Sequence, residues 1–191
     1  MGGSRVRDIL RLVVVLTGIC VVCSFSLAIV KKGTEERIEY QKIKFIKAPA
    51  LKAVLPEHDN DPILERVKVK IAPEKVITVF PAKKGGKLMA IAYETAGDGY
   101  GGRIEIMLAI NVDGSIAGVK VMKCSETPGV GLKIVTEPWF CDQFKKFTVK
   151  DKFILGENVQ GISGATISST GTTKAIGEAV KWFDEIMKEL G

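Results

Sequence analysis

Leu12 to Val30 is a run of nineteen residues without a charge, closed by Lys31-Lys32. Nothing else in the chain restricts its fold so strongly. At about 1.5 Å of rise per residue, a helix of this length spans roughly the 30 Å hydrocarbon core of a bilayer. Ser26-Leu27-Ala28 resembles a signal-peptidase site, but the apolar run is longer than the usual core of a cleavable signal. The expectation is a retained transmembrane helix over 12–30, preceded by a short basic N-terminus over 1–11. Neither Cys20 nor Cys23 follows a small residue, so lipid attachment is not expected. The two form a C-x-x-C inside the span, read as small apolar residues in lipid because two ligands do not complete a metal site.

The formal net charge of +6 is concentrated around this span. Arg5, Arg7, Arg11, Lys31 and Lys32 stand against Asp8, whereas the remaining chain holds 23 basic and 21 acidic residues. No cluster mixes basic and aromatic side chains, which excludes a nucleic-acid footprint. Charge leaves sidedness open. Lys31, Lys32, Arg37, Lys42 and Lys44 favour a cytoplasmic domain by positive-inside counting, while a short basic N-terminus favours the opposite arrangement.

Beyond the span, residues 31–62 read as a linker with helical character leading to Pro56, followed by the loop Glu57-His58-Asp59-Asn60-Asp61-Pro62. His58 is the only histidine. With no second cluster to complete a cation site, the loop reads as solvated. Residues 63–191 form the globular domain. Val67–Ile71, Val76–Phe80, Leu88–Tyr93, Ile104–Asn111 and Ile116–Met122 read as strands, with a turn at Lys83–Lys87 and a hairpin signal at Asp113-Gly114. Val149 and Phe153–Leu155 suggest one more strand. The glycine-rich loop Gly97–Gly102 precedes a strand, not a helix, so it is not a dinucleotide fingerprint. Trp139, Phe140, Phe144 and Phe147 read as core. Cys124 and Cys141 fit either a disulfide or two buried thiols. The fold class is α+β: an antiparallel sheet with flanking helices, preceded by one N-terminal transmembrane helix.

Ile176, Val180, Phe183, Met187 and Leu190 recur at helical spacing and define an amphipathic C-terminal helix. Its start is expected between Ser168 and Thr172, where several hydroxyls offer a cap. Just ahead lies Gly161-Ile162-Ser163-Gly164-Ala165-Thr166. Free N–H groups and the helix dipole favour an anion there, and the Thr166 hydroxyl is able to form a phosphate ester. These residues alone fit an ordinary capped surface helix at least as well.

Four motifs in order make the difference: Gly97-Asp98-Gly99-Tyr100-Gly101-Gly102, Asp113-Gly114, Glu126-Thr127-Pro128-Gly129-Val130-Gly131, and Ser163-Gly164-Ala165-Thr166. Together with the single span, they resemble the FMN-binding domain of the G subunit of the Rnf electron-transport complex. The C subunit of the sodium-translocating NADH:quinone oxidoreductase shares this domain, but the present chain is short for that protein. The resemblance implies FMN held covalently by a phosphodiester to Thr166, attached by a separate flavin transferase. Ser163, Gly164 and Ala165 would present the threonine. Glu126, Thr127, Gly129, Val130 and Gly131 would contact the isoalloxazine, with Lys133 a weaker candidate and Tyr100 and Gly101 contributed by the glycine-rich loop. Two departures stand out: Cys124 where the family often has histidine, and Val130 where leucine is usual.

The implied function is a membrane-anchored electron carrier, the electron-transferring subunit of an ion-translocating ferredoxin:NAD+ oxidoreductase. It would be single-pass in the inner or plasma membrane, with the flavin domain on the extracytoplasmic side and other Rnf membrane subunits as partners. The residues offer no nucleophile–base pair and no metal cluster. A flavin carrier needs neither, because the cofactor performs the redox chemistry. A negative Glu126 beside the ring would lower the flavin's potential. The alternatives are a C-type subunit of the sodium-translocating NADH:quinone oxidoreductase or a flavin carrier of another extracytoplasmic electron chain, and, further, a cofactor-free structural anchor.

Overall fold

The computed structural model describes residues 3–72 and 75–190. It divides into two compact units, Met1–Lys42 and Ile43–Gly191.

The first unit is one continuous helix, α1 (Gly3–Lys42). Within it Arg7–Glu35 is long and apolar enough to cross a membrane, and residues 12–30 are exposed along their whole length. Helical structure continues past Lys31-Lys32 to Lys42. The stretch expected as a linker, 31–62, is therefore divided, because residues from Ile43 onward belong to the second unit.

That unit opens with a π-helical turn, Ile43–Lys47, and a short helix α2 (Ala48–Val54) with Pro49 in its first turn. A proline ring crowds the carbonyl four residues back, here that of Phe45, and a widened turn relieves the clash. Ala50, Leu51 and Val54 of α2 are buried against the sheet.

Five antiparallel strands follow in sequential order: β1 (Val67–Ala72), β2 (Lys75–Lys84), β3 (Lys87–Asp98), β4 (Arg103–Asn111) and β5 (Ile116–Lys123). The register separates two faces, one of them rich in alanine. Val79, Tyr93, Leu108 and Val119 align across one face, and Phe80, Ala92, Ala109 and Gly118 across the other. The face with alanines receives α2 at close range. A β-carbon added at Gly118 would lie 2.9 Å from Val54 Cα. The larger face carries the main core, closed by helices from the C-terminal half.

After β5 the chain forms α3 (Lys133–Thr136), α4 (Pro138–Asp142) and a 3-10 turn over Gln143–Lys146. Phe140, Phe144 and Phe147 are buried there as expected, whereas Trp139 is partly exposed, edge-on to Phe140. The strand expected over Val149 and Phe153–Leu155 does not form. Only isolated bridges occur, Ser115 with Thr148 and Leu155 with Val159. Side chains take the backbone bonds a ladder would need: Asp151 accepts from the Thr148 N–H, and Asn158 accepts from the Ile154 N–H and donates to the Lys152 carbonyl.

The C-terminal helix is α5 (Thr166–Ala179), a 3-10 turn at Val180–Trp182, and α6 (Phe183–Leu190). The expected stripe from Ile176 to Leu190 packs on the main core. The start differs from expectation: α5 begins at Thr166, with Ala165 at the N-cap and no side-chain cap. Ser168, Ser169, Thr172 and Thr173 are not caps but face inward and are buried.

Glycine makes this inward packing close. A β-carbon at Gly171 would stand 2.0 Å from the Asp98 carbonyl oxygen, and one at Gly97 would stand 2.3 Å from the Gly171 oxygen. Cys124 and Cys141 are both free thiols, and burial pushes the Cys141 thiol pKa up. In the 57–62 loop, Asp59 accepts from the Gly85 N–H, Asp61 from the Ile63 N–H, and the His58 ring lies 2.8 Å from the Pro56 carbonyl.

Candidate flavin site

Thr166 is the first residue of α5 and is exposed. The turn before it depends on Gly164, whose φ of +81° lies in the left-handed region that disfavours side chains. The Ala165 N–H donates to the Ile162 carbonyl (2.9 Å), and the Ile162 N–H donates to Ser169 Oγ (3.1 Å). The first intrahelical bond runs from the Ser169 N–H to the Ala165 carbonyl. By helix geometry, the N–H groups of Thr166, Ile167 and Ser168 have no acceptor within the helix, and the dipole's positive end lies there.

Thr166 opens onto a cleft of about 510 Å³ lined by Tyr100, Glu126, Thr127, Val130, Gly131, Gly164, Ala165, Thr166, Ile167 and Ser168. Three distant segments supply these walls. The β3–β4 turn brings Tyr100, closed by the Gly99 N–H donating to the Gly102 carbonyl. The segment after β5 brings Glu126 to Gly131, folded by the Val130 and Leu132 N–H groups donating to the Thr127 carbonyl. The turn at Gly164 and the start of α5 complete it.

The other sequence candidates lie around the cleft without lining it. Ser163 is exposed on the preceding turn, and Gly129 adopts φ +75° within the Thr127–Leu132 turn. Gly101 contributes its N–H to Glu126, and Lys133 is the first residue of α3. Ile167 and Ser168 line the cleft but are not among the residues the sequence singles out. A helix start placed at Thr166 would have found them. A second cleft of about 420 Å³ flanks α5 between Asp98 and Lys174, and Thr166 borders both.

Glu126 is 6% exposed. Its Oε1 accepts from the Gly101 N–H (3.1 Å) and its Oε2 from the Ser168 hydroxyl (2.7 Å). No cation pairs with it among the described residues. Tyr100, Val130 and Ile167 are large exposed apolar side chains at the rim.

This donor set suits FMN. The volume lies within the roughly 300–1,000 Å³ of cofactor clefts, apolar side chains offer a surface for a flat ring, and helix N–H groups with a hydroxyl stand where a phosphate would sit.

An α+β domain with a threonine poised at such a cleft is of the flavin-binding class. Residues 99–181 match the FMN-binding domain family. The chain is 32% identical over 180 residues to the G subunit of an ion-translocating oxidoreductase complex from Cereibacter sphaeroides, covering 88% of this chain and 81% of that one. It is 27% identical to the G subunit of the Na(+)-translocating ferredoxin:NAD(+) oxidoreductase complex of Acetobacterium woodii, with 95% of each chain covered. A solved structure of the C subunit of the Na(+)-translocating NADH-quinone reductase from Parabacteroides distasonis shares the fold. Its TM-score is 0.50 at 23% identity, over 68% of this chain and 70% of that one.

The chain belongs to the family of G subunits of ion-translocating (Rnf) oxidoreductase complexes. FMN binding and an electron-transport role within an assembly of several subunits come with that membership.

Proposed function

We propose that this chain is a membrane-anchored electron carrier with FMN esterified through its phosphate to Thr166. It would be a subunit of an ion-translocating ferredoxin:NAD+ oxidoreductase, anchored by α1 with the flavin domain on the extracytoplasmic side. One observation carries the reading: Thr166 is at once exposed, the first residue of α5, and a wall of the cleft. Other residues of the chain support it. Gly164 turns the backbone so that the threonine is accessible, the N–H groups of α5's first turn face a phosphate held at its oxygen, and Tyr100, Val130 and Ile167 exclude water from a ring in the cleft. When bound, the flavin supplies the redox chemistry. Ester attachment keeps it on an exposed domain whatever the ambient FMN concentration.

In-gel flavin fluorescence of the denatured protein, produced with a flavin transferase, tests the linkage. A fluorescent wild-type band beside a dark Thr166→Ala band is the expected result. Two dark bands would remove the covalent reading, and two bright bands would move the attachment elsewhere. Sidedness is tested by protease access to the domain in oriented vesicles.

A further inference from the structure

We infer that Glu126 is a positioning residue, a carboxylate latch that joins the two walls of the cleft and holds the turn bearing Thr166 ready for flavin attachment. This rests on esterification at Thr166. The two carboxylate oxygens serve different segments. Oε1 holds the Tyr100 loop through the Gly101 N–H, and Oε2 holds α5 through the Ser168 hydroxyl. Residues 101, 126 and 168 are far apart in sequence, and this one side chain links them.

The surrounding glycines show that space is reserved for the latch. A β-carbon at Gly99 would lie 2.0 Å from Oε1, one at Gly131 would lie 2.2 Å from Oε2, and one at Gly101 would lie 2.1 Å from the Ser125 carbonyl oxygen. None of these three glycines has a positive φ. Backbone conformation therefore does not demand glycine there; the carboxylate and its backbone do.

Ser168 lies two residues after Thr166 and is 1% exposed. Fixing its hydroxyl inward fixes the rotation of α5's first turn. The neighbouring Ser169 Oγ holds the Ile162 N–H, so the turn is pinned at two points. With Ser168 and Ser169 inward, Thr166 and Ile167 are left outward. The site needs an acceptor facing each of two donors, and the carboxylate supplies both. The positive end of the α5 dipole favours an anion at this position.

The test uses the full-length chain in detergent, with a flavin transferase and flavin adenine dinucleotide. Two quantities are read: the initial rate of covalent flavin incorporation, and amide hydrogen exchange of residues 165–169 before attachment. Ser168→Ala is expected to slow incorporation about tenfold, the equivalent of one buried hydrogen bond to a charged group, and to speed exchange in the turn. Glu126→Leu should do more. Glu126→Gln keeps an acceptor for Gly101 and offers an amide to Ser168 Oγ, so it should recover most of the loss seen with leucine. Wild-type incorporation and wild-type exchange in Ser168→Ala would overturn the latch, as would Glu126→Gln behaving like Glu126→Leu. If the wild-type chain takes no flavin, esterification fails, while the exchange data still judge the latch.

Discussion

α1 and α5 invert the ordinary relation between polarity and burial. The span in α1 is apolar on every side yet exposed, with Leu12 at 69% and Leu27 at 71%. Along α5, Ser168, Ser169, Thr172 and Thr173 are hydroxyl-bearing yet buried. A helix apolar all round belongs in a medium that is not water. The buried hydroxyls of α5 are met in different ways: Thr173 donates to the Ser169 carbonyl, Ser168 donates to Glu126 Oε2, Ser169 Oγ accepts from the Ile162 N–H, and Thr172 Oγ1 has no partner among the described residues. On the exposed α1, Ser26 donates to the Val22 carbonyl and Thr34 to that of Val30. Gly97 and Gly171 let α5 approach β3 closely, where a β-carbon on either would meet backbone. Exposure thus differs in kind between the two helices: α1 carries apolar side chains suited to lipid all round, whereas Thr166 and Ile167 are exposed while Ser168 and Ser169 of the same turn are held inward.

The sharpest break of this comparison is Thr166→Ala, which should abolish covalent flavin fluorescence while leaving the melting temperature of the flavin-free protein nearly unchanged, because the side chain is exposed. Next is the mid-span substitution Val21→Arg. A centred arginine costs about 3 kcal/mol on insertion scales, so the chain should shift toward the alkali-extractable fraction. Of similar size is Gly171→Ala, which forces a β-carbon against the Asp98 carbonyl. Overpacking of this kind costs about 1–3 kcal/mol, and thermal melting should show it with membrane extraction unaffected. Ser169→Ala removes the acceptor of the buried Ile162 N–H, at a cost of about 1–3 kcal/mol for an orphaned donor.

The smallest effect is acid sensitivity. Hydrogen bonds from Ser115 hold the Asp113 carboxyl below its ordinary range, and the Thr148 backbone and hydroxyl do the same for Asp151. Groups depressed on folding contribute fully above the ordinary carboxylate pKa of about 4, and the contribution is lost as pH falls through the depressed values. Asp151→Asn should flatten the acid limb of a melting-temperature profile slightly.

The five strands were legible because each presents a run of β-formers bounded by glycine or charged turns, and Asp113-Gly114 marks the β4–β5 hairpin. The segment 149–155 misled for the same reason: its apolar residues suit a strand, but Asp151 and Asn158 divert its backbone bonds. The start of α5 was misplaced by two or more residues because serine and threonine ahead of a helix read as caps. Here they occupy the inner face, a choice made by β3 and Glu126. That α2 belongs to the globular unit was not legible, since its few apolar residues acquire meaning only opposite the alanine-rich face of the sheet.

The sequence by itself determined a helix able to cross a bilayer, an antiparallel α+β domain, and a threonine beside a helix start, because chain-local periodicity, charge and turn chemistry carry those properties. Tertiary structure alone decided that Tyr100, Glu126, Val130 and Thr166 share one cleft and that Glu126 turns its carboxylate into protein on both sides. Contacts between residues so far apart depend on sheet register and on which glycines leave room, and neither is written in any local pattern.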